Sequence, residues 1–318
     1  MGTTRPPRRS TGTDLVALLV VSIWGMSFPF QKVALLQFGP SGFMCLRYLG
    51  MLALSWGVFF ALRKRGDPIG MAKSDLPALA LAGVLGYSLY IPLSTFGLAY
   101  TTPFANALLI ALAPLFANAL LRRLRLETIG RAQYAGMLVA LAGAFVFVLP
   151  ALRLRADQNW IGDLLSLAGA AFFAGYTVAS KPLLPRYRLP AMMAYTLTIG
   201  TVPLVAALLP SVWGLRWNAI TPAGWAAFAW TVVAPVYAAW TLWNWTIARM
   251  GVARASVFMY LVPVVGGVTS WLLFGEGFGV LKVAGAALVL AGLVVARRRP
   301  APGGSAQTGH LVPRFAEP

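Results

Sequence analysis

Eight carboxylates, one cysteine and one histidine are the conventional catalytic material in this chain of 318 residues. Cys45 stands alone, which excludes an internal disulfide and a thiolate metal cluster, and His310 sits in a polar tail. Chemistry inside an apolar segment would need a carboxylate pair on one helix, a serine with a histidine, or a cluster of metal ligands. The sequence supplies none of these, so the chain is not read as an enzyme, and no cofactor or metal is expected. The carboxylates also avoid the middle of every apolar run. Asp14 and Asp163 open two of the runs, where a negative charge offsets the positive end of a helix. Asp67, Asp75 and Asp157 fall in loops, Glu317 in the tail, and Glu127 and Glu276 at junctions between loop and helix. No proton-carrying carboxylate is therefore expected at mid-depth.

Basic, aromatic and amide side chains remain. Lys32 and Lys181 close two of the apolar runs, and Arg47 lies about one turn inside another. Such side chains can lead their charge out to the headgroups, or they can attract a carboxylate or phosphate, with the two lysines serving as gates at opposite faces. Trp24, Ser27, Phe28, Tyr87, Tyr90, Asn106, Tyr176, Tyr237, Trp240 and Tyr260 are the candidate lining of a solute pocket. A phenol in lipid needs a hydrogen-bonding partner, which favours an interior location for the deeper tyrosines. Trp213, Trp217, Trp225, Trp243 and Trp245, near run ends, fit an interfacial belt instead. Pro92, Pro114, Pro235 and Pro263 lie within runs, where each frees a backbone carbonyl and permits a bend.

The elements that must carry these residues follow from composition. Fifty-nine per cent of residues are hydrophobic and 11% charged, with mean hydropathy +0.74, against about 45–50% and about 25% in soluble domains. A bilayer core of about 30 Å needs about 20 apolar residues of helix. Ten runs meet this, from Leu15 to Leu36, Gly42 to Leu62, Leu76 to Leu98, Pro103 to Leu121, Ala132 to Leu149, Ile161 to Ser180, Ala191 to Val212, Pro222 to Trp243, Ala253 to Phe274 and Gly279 to Ala296. The net charge of +18 lies between the runs, so it reads as a topology signal and not as a nucleic-acid surface. Up to Arg299, nineteen of the Lys and Arg that flank the runs fall on the side that holds both termini and five on the other, which predicts a multi-pass protein of the cytoplasmic membrane with both termini in the cytoplasm. The first run is too long for a signal-peptide core and reads as an uncleaved span.

Self-similarity at one offset is the most specific signal. Asp14 and Asp163, Lys32 and Lys181, Pro114 and Pro263, Glu127 and Glu276, Gly136 and Gly285, and Gly143 and Gly292 are each 149 positions apart. Each copy holds five runs, and an odd number turns the second copy over, so the expected fold is an all-α membrane protein of ten transmembrane helices in two inverted five-helix repeats. The boundaries expected are a cytoplasmic tail at residues 1–13, repeats at 14–150 and 161–299, and a disordered tail at 300–318. The paired glycines, seven apart in the fifth and tenth runs, predict close helix packing. An inverted repeat suits a carrier that exchanges the conformations of its halves.

In this order and in duplicate, several short motifs resemble the EamA-like ten-span exporters of the drug/metabolite transporter superfamily. They are Ile23-Trp24-Gly25-Met26-Ser27-Phe28 with Lys32, Leu46-Arg47-Tyr48, Leu-x-Pro at Leu112 to Pro114 and Leu261 to Pro263, Gly275-Glu276, and the glycines of the fifth and tenth runs. The first copy departs with Leu126-Glu127 where the second has Gly275-Glu276. The resemblance covers Asp14 to Arg299. It implies a monomer with a cavity lined by spans one to four and six to nine, exporting or exchanging amino acids, related metabolites or drugs across the inner membrane by alternating access. A flippase for a lipid-linked substrate or a solute channel is the rival reading. The partners expected are a small-molecule solute and the bilayer, not nucleic acid.

Overall fold

The computed structural model describes residues 11–63, 70–124, 131–154, 159–180, 182–183, 186–250, 258 and 261–296. Among these every regular element is helical. We number ten spanning elements. The first repeat has α1 (Thr11–Phe38), α2 (Pro40–Leu62), α3 (Lys73–Tyr100), α4 (Pro103–Ile110 with Ala113–Arg123) and α5 (Arg131–Leu154). The second has α6 (Asn159–Ser180), α7 (Leu189–Trp213), α8 (Pro222–Val233, Ala234–Ala238 and Ala239–Met250), α9 (Leu261–Phe274) and α10 (Val280–Ala296). Five of them, α1, α2, α3, α6 and α7, are long and apolar enough to cross a bilayer on length and composition alone. The other five carry shorter apolar segments, such as Pro222–Val236 and Val280–Gly292.

The expected spans are present with ends shifted by up to seven residues, save that the expected start of the ninth, Ala253, lies outside the described residues, and the offset of 149 reappears in the backbone. Helices α2, α3 and α5 begin at Pro40, Lys73 and Arg131, and α7, α8 and α10 begin 149 residues later, at Leu189, Pro222 and Val280. The irregularities repeat too. A π-helical stretch at Val84–Tyr90 interrupts α3, and one at Ala234–Ala238 interrupts α8 at the equivalent depth. Proline explains both, because it has no N–H to bond the carbonyl four residues earlier. Pro92 follows the first stretch and Pro235 lies in the second. Pro114 similarly marks the break in α4 at Ala111–Leu112.

The halves are not separate bodies. Helix α1 packs chiefly on α9 and α8, and α6 packs chiefly on α3 and α4, so each repeat lends its first helix to the other. Two pairs then join the copies, α2 with α7 and α5 with α10. Short contacts clasp each lent helix to its host. At the end of α1, Gln37 Oε1 accepts from Thr221 N at 2.8 Å and Thr221 Oγ1 at 3.0 Å, at the start of α8. After α6, the Tyr187 hydroxyl donates to Asp75 Oδ2 at 2.7 Å, and Arg186 forms an ion pair with the same carboxylate, at the start of α3. Phe38 and Tyr187, equivalent by the offset, both face the first turn of a π-interrupted helix: the Phe38 ring lies 5.1 Å from that of Trp225. Asp75, expected in a loop, is thus corrected to a buried residue in the first turn of α3. Burial, and next the bond to Asp75, push the Tyr187 phenol above its usual value, so it stays a neutral donor at physiological pH.

The outer surface is apolar, as lipid requires: Val280, Leu272 and Leu15 are 85%, 69% and 61% exposed. Gly275 turns the chain from α9 to α10 with φ of 62°, a conformation that side chains disfavour. In the α5–α10 seam backbone approaches backbone at three glycines. A Cβ on Gly143 would lie 2.5 Å from Val289 N, one on Gly285 2.5 Å from Phe147 N, and one on Gly292 2.3 Å from Ala140 N and 2.6 Å from Gly136 O. With no hydrophobic drive between helices in lipid, such contact is the main source of their association. Gly143→Leu or Gly292→Leu should destabilise the protein by about 1–3 kcal/mol, read as a fall of several degrees in the melting temperature in detergent. Leucine at the exposed Ala142 or Ala291 should change it little, and equal effects at all four positions would remove the seam as a stabilising element.

Candidate functional site

The irregular turns expose carbonyls, and interior side chains meet them. Trp24 Nε1 donates to Pro235 O at 3.1 Å, from α1 into the π-stretch of α8. The Tyr48 hydroxyl donates to Tyr87 O in the π-stretch of α3, and Ser88 Oγ donates to Gly200 O at 2.6 Å. Ser27 is buried and donates to Trp24 O. Trp243, read as an interfacial residue, instead packs edge-on against Trp24, their rings 5.3 Å apart.

The tyrosines gather between α3 and α6. Tyr87 and Tyr176 lie 5.9 Å apart, Tyr90 lies 4.7 Å from Phe173, and Phe173 stacks on Tyr176. Phe28 reaches this group from α1. Phe28, Tyr90, Phe116 and Phe173 all pack on the buried Ile110, Ala113 and Ala170 and are themselves only partly buried. Asn106 is fully buried, its amide donating to Ser94 O at 3.0 Å and Ser166 Oγ at 2.8 Å. Tyr237 lies in the π-stretch of α8 and Trp240 just after it. Their side chains, with Tyr260 and Lys181, lie outside the described residues.

The two described basic candidates differ. Lys32 Nζ donates to Leu98 O at 2.7 Å, Ala99 O at 2.9 Å and Thr101 O at 2.9 Å. It therefore ties α1 to the carbonyl end of α3, where a cation meets the negative pole of the helix. Thr101 in turn donates from Oγ1 to the buried Asp163 at 2.6 Å. Arg47 is 7% exposed, and its Nη1 donates to Gln31 Oε1 at 2.8 Å. Sequence reasoning passed over Gln31, Phe116, Ser166 and Phe173, and named Tyr48 only as part of a motif. The available signal was spacing: Phe173 precedes Tyr176 by three, as Tyr87 precedes Tyr90, which places each pair on one helical face.

Residues 11–149 and 160–298 each match the EamA-like transporter family. The chain belongs to that family. It is a multi-pass membrane transporter for small solutes. A curated relative from Streptantibioticus cattleyicolor, named "Probable terminal-alkyne amino-acid exporter", is 31% identical over 286 residues, 89% of this chain and 92% of that protein. A "Probable amino-acid metabolite efflux pump" of Salmonella typhimurium is 28% identical over 88% of this chain and 93% of that protein. A crystal structure with 21% identity aligns over 90% of this chain and 97% of its own, with a TM-score of 0.59, which bears on the fold alone.

Asn106 gives the site its most exacting polar contacts. Asn106→Leu removes the amide donor from Ser94 O and from Ser166 Oγ, at a cost of about 0.5–1.5 kcal/mol for each bond. The melting temperature of the purified protein should fall, and Ser94→Ala, which removes only the long 3.4 Å contact to Asn106 Oδ1, should lower it less.

Proposed function

We propose that this protein exports or exchanges amino acids or closely related metabolites across the cytoplasmic membrane by alternating access. The observation that carries the reading is Lys32. It joins the unit of α1, α8 and α9 to the unit of α3, α4 and α6 through three carbonyls at one face. By the offset its counterpart is Lys181, and the carbonyl end corresponding to α3 is that of α8, at the other face. An inverted repeat works by swapping the conformations of its halves, so closure by Lys32 at one face implies closure by Lys181 at the other in the opposite state. The names of the relatives support amino-acid-like cargo, and the aromatic group of Phe28, Tyr90, Phe116, Phe173 and Tyr176 suits an apolar side chain.

The loop charges support a cytoplasmic location for both termini. In a Cys45→Ala background, Asn218→Cys should react with an impermeant thiol reagent added to intact cells, and Gly70→Cys should not; the reverse pattern inverts the assignment. Lys32→Met removes the closure. In proteoliposomes it should slow exchange of radiolabelled amino acids about tenfold or more while the folded yield is kept, and it should open Ser27→Cys to reagent from the face opposite the termini. Unchanged exchange and unchanged access would show that Lys32 only caps α3.

A further inference from the structure

We propose that Arg47 is the carboxylate-binding subsite of this transporter, an assignment that rests on the amino-acid reading above and narrows it to solutes carrying a free carboxylate. Arg47 lies on α2 with its side chain inside the bundle: the residue is 7% exposed. An arginine keeps its charge under any such burial. Isolated in a dry interior that charge costs several kcal/mol unless an anion or a full set of acceptors meets it. The acceptors here are few. Nη1 has Gln31 Oε1, Nε is buried with no hydrogen-bond partner, and the guanidinium carbon stands 5.7 Å from the ring centre of Phe43. Among the described residues no carboxylate forms an ion pair with it; the pair between Asp75 and Arg186 is at the rim.

Its neighbours place it at the join between the two units. Gln31 comes from α1, and the phenols of Tyr48 on α2 and Tyr90 on α3 lie within its electrostatic range. Tyr90 also belongs to the aromatic group around Ile110 and Ala170. A solute with a carboxylate on the guanidinium would thus have its side chain beside these rings. One unspent positive charge suits a monoanionic carboxylate. A phosphate dianion would call for a second cation, and the nearest described candidate on α1, Lys32, already serves three carbonyls. Cationic amines lacking a carboxylate would be repelled.

The test uses the full-length protein in proteoliposomes and in nanodiscs. Exchange with radiolabelled L-amino acids is measured first, and the best of them is then compared, by binding, with the amine that results from its decarboxylation. The wild-type protein should prefer the amino acid by about ten- to a hundredfold, the range of a charge-assisted pair. Arg47→Gln should reduce that preference to near unity, and Arg47→Lys should restore part of it. Equal binding of amino acid and amine by the wild-type protein would overturn the assignment even if the variants do not fold, as would a preference that survives in folded Arg47→Gln. Exchange of amino acids with no carboxylate preference refutes the subsite alone; absence of any exchange or binding of amino acids refutes the amino-acid reading with it.

Discussion

Every carbonyl in the lipid core must find a donor inside the protein, because there is no water to supply one. Proline breaks that accounting by design. Pro92 and Pro235 shift their helices into π-stretches, and Pro114 interrupts α4. Interior polar side chains meet the carbonyls of the π-stretches, Trp24 on Pro235 O and Tyr48 on Tyr87 O, and the buried Asn106 adds an amide donor to Ser94 O in the regular helix beyond Pro92. Irregular backbone at membrane depth is tolerated only where protein or a cavity covers it. The same constraint that protects these carbonyls therefore gathers hydroxyls, amides and indoles at the centre of the bundle, which is where a polar solute needs them.

The same accounting separates the rigid parts from the deformable ones. In the α5–α10 seam, backbone lies on backbone at Gly143, Gly285 and Gly292, with no space for a single added carbon. Packed surfaces of that kind have one good arrangement and resist sliding. The join between α1 and α3 is different in kind. It is made by a long lysine side chain on three carbonyls, which can release one partner and find another at modest cost. The proposed cycle places its motion at that join and leaves the seam fixed.

Much of this was legible in the chain because the signals were local or repeated. Apolar runs fix the spans, and the 149-residue offset fixes the inversion, down to helix starts at Lys73 and Pro222. What was not legible depends on contacts far apart in sequence. Trp24 and Pro235 are separated by 211 residues, and nothing local tells that α1 rests on the second repeat. For that reason Trp243 read as an interfacial residue when it packs on Trp24, and Asp75 read as a loop residue when Tyr187 and Arg186 bury it. Lys32 and Arg47 looked alike in sequence, two cations near helix ends. Only their partners distinguish them, since three carbonyls satisfy the first and a single amide serves the second.

That difference has an electrostatic consequence for any cycle built on this fold. A cation satisfied by carbonyl dipoles can be released to the open face and recaptured by the same helix end without a change in net charge. A cation left with one amide in a dry interior is stable only while something else shares the cost. In the empty carrier, water entering from the open face or the phenols of Tyr48 and Tyr90 can do this in part, and a bound anion does it fully. Closure over an empty site would strip away the water and leave the charge alone, whereas closure over an anionic solute would not. The buried arginine would thus penalise the empty transition more than the loaded one. That asymmetry is what makes a carrier an exchanger and not a leak.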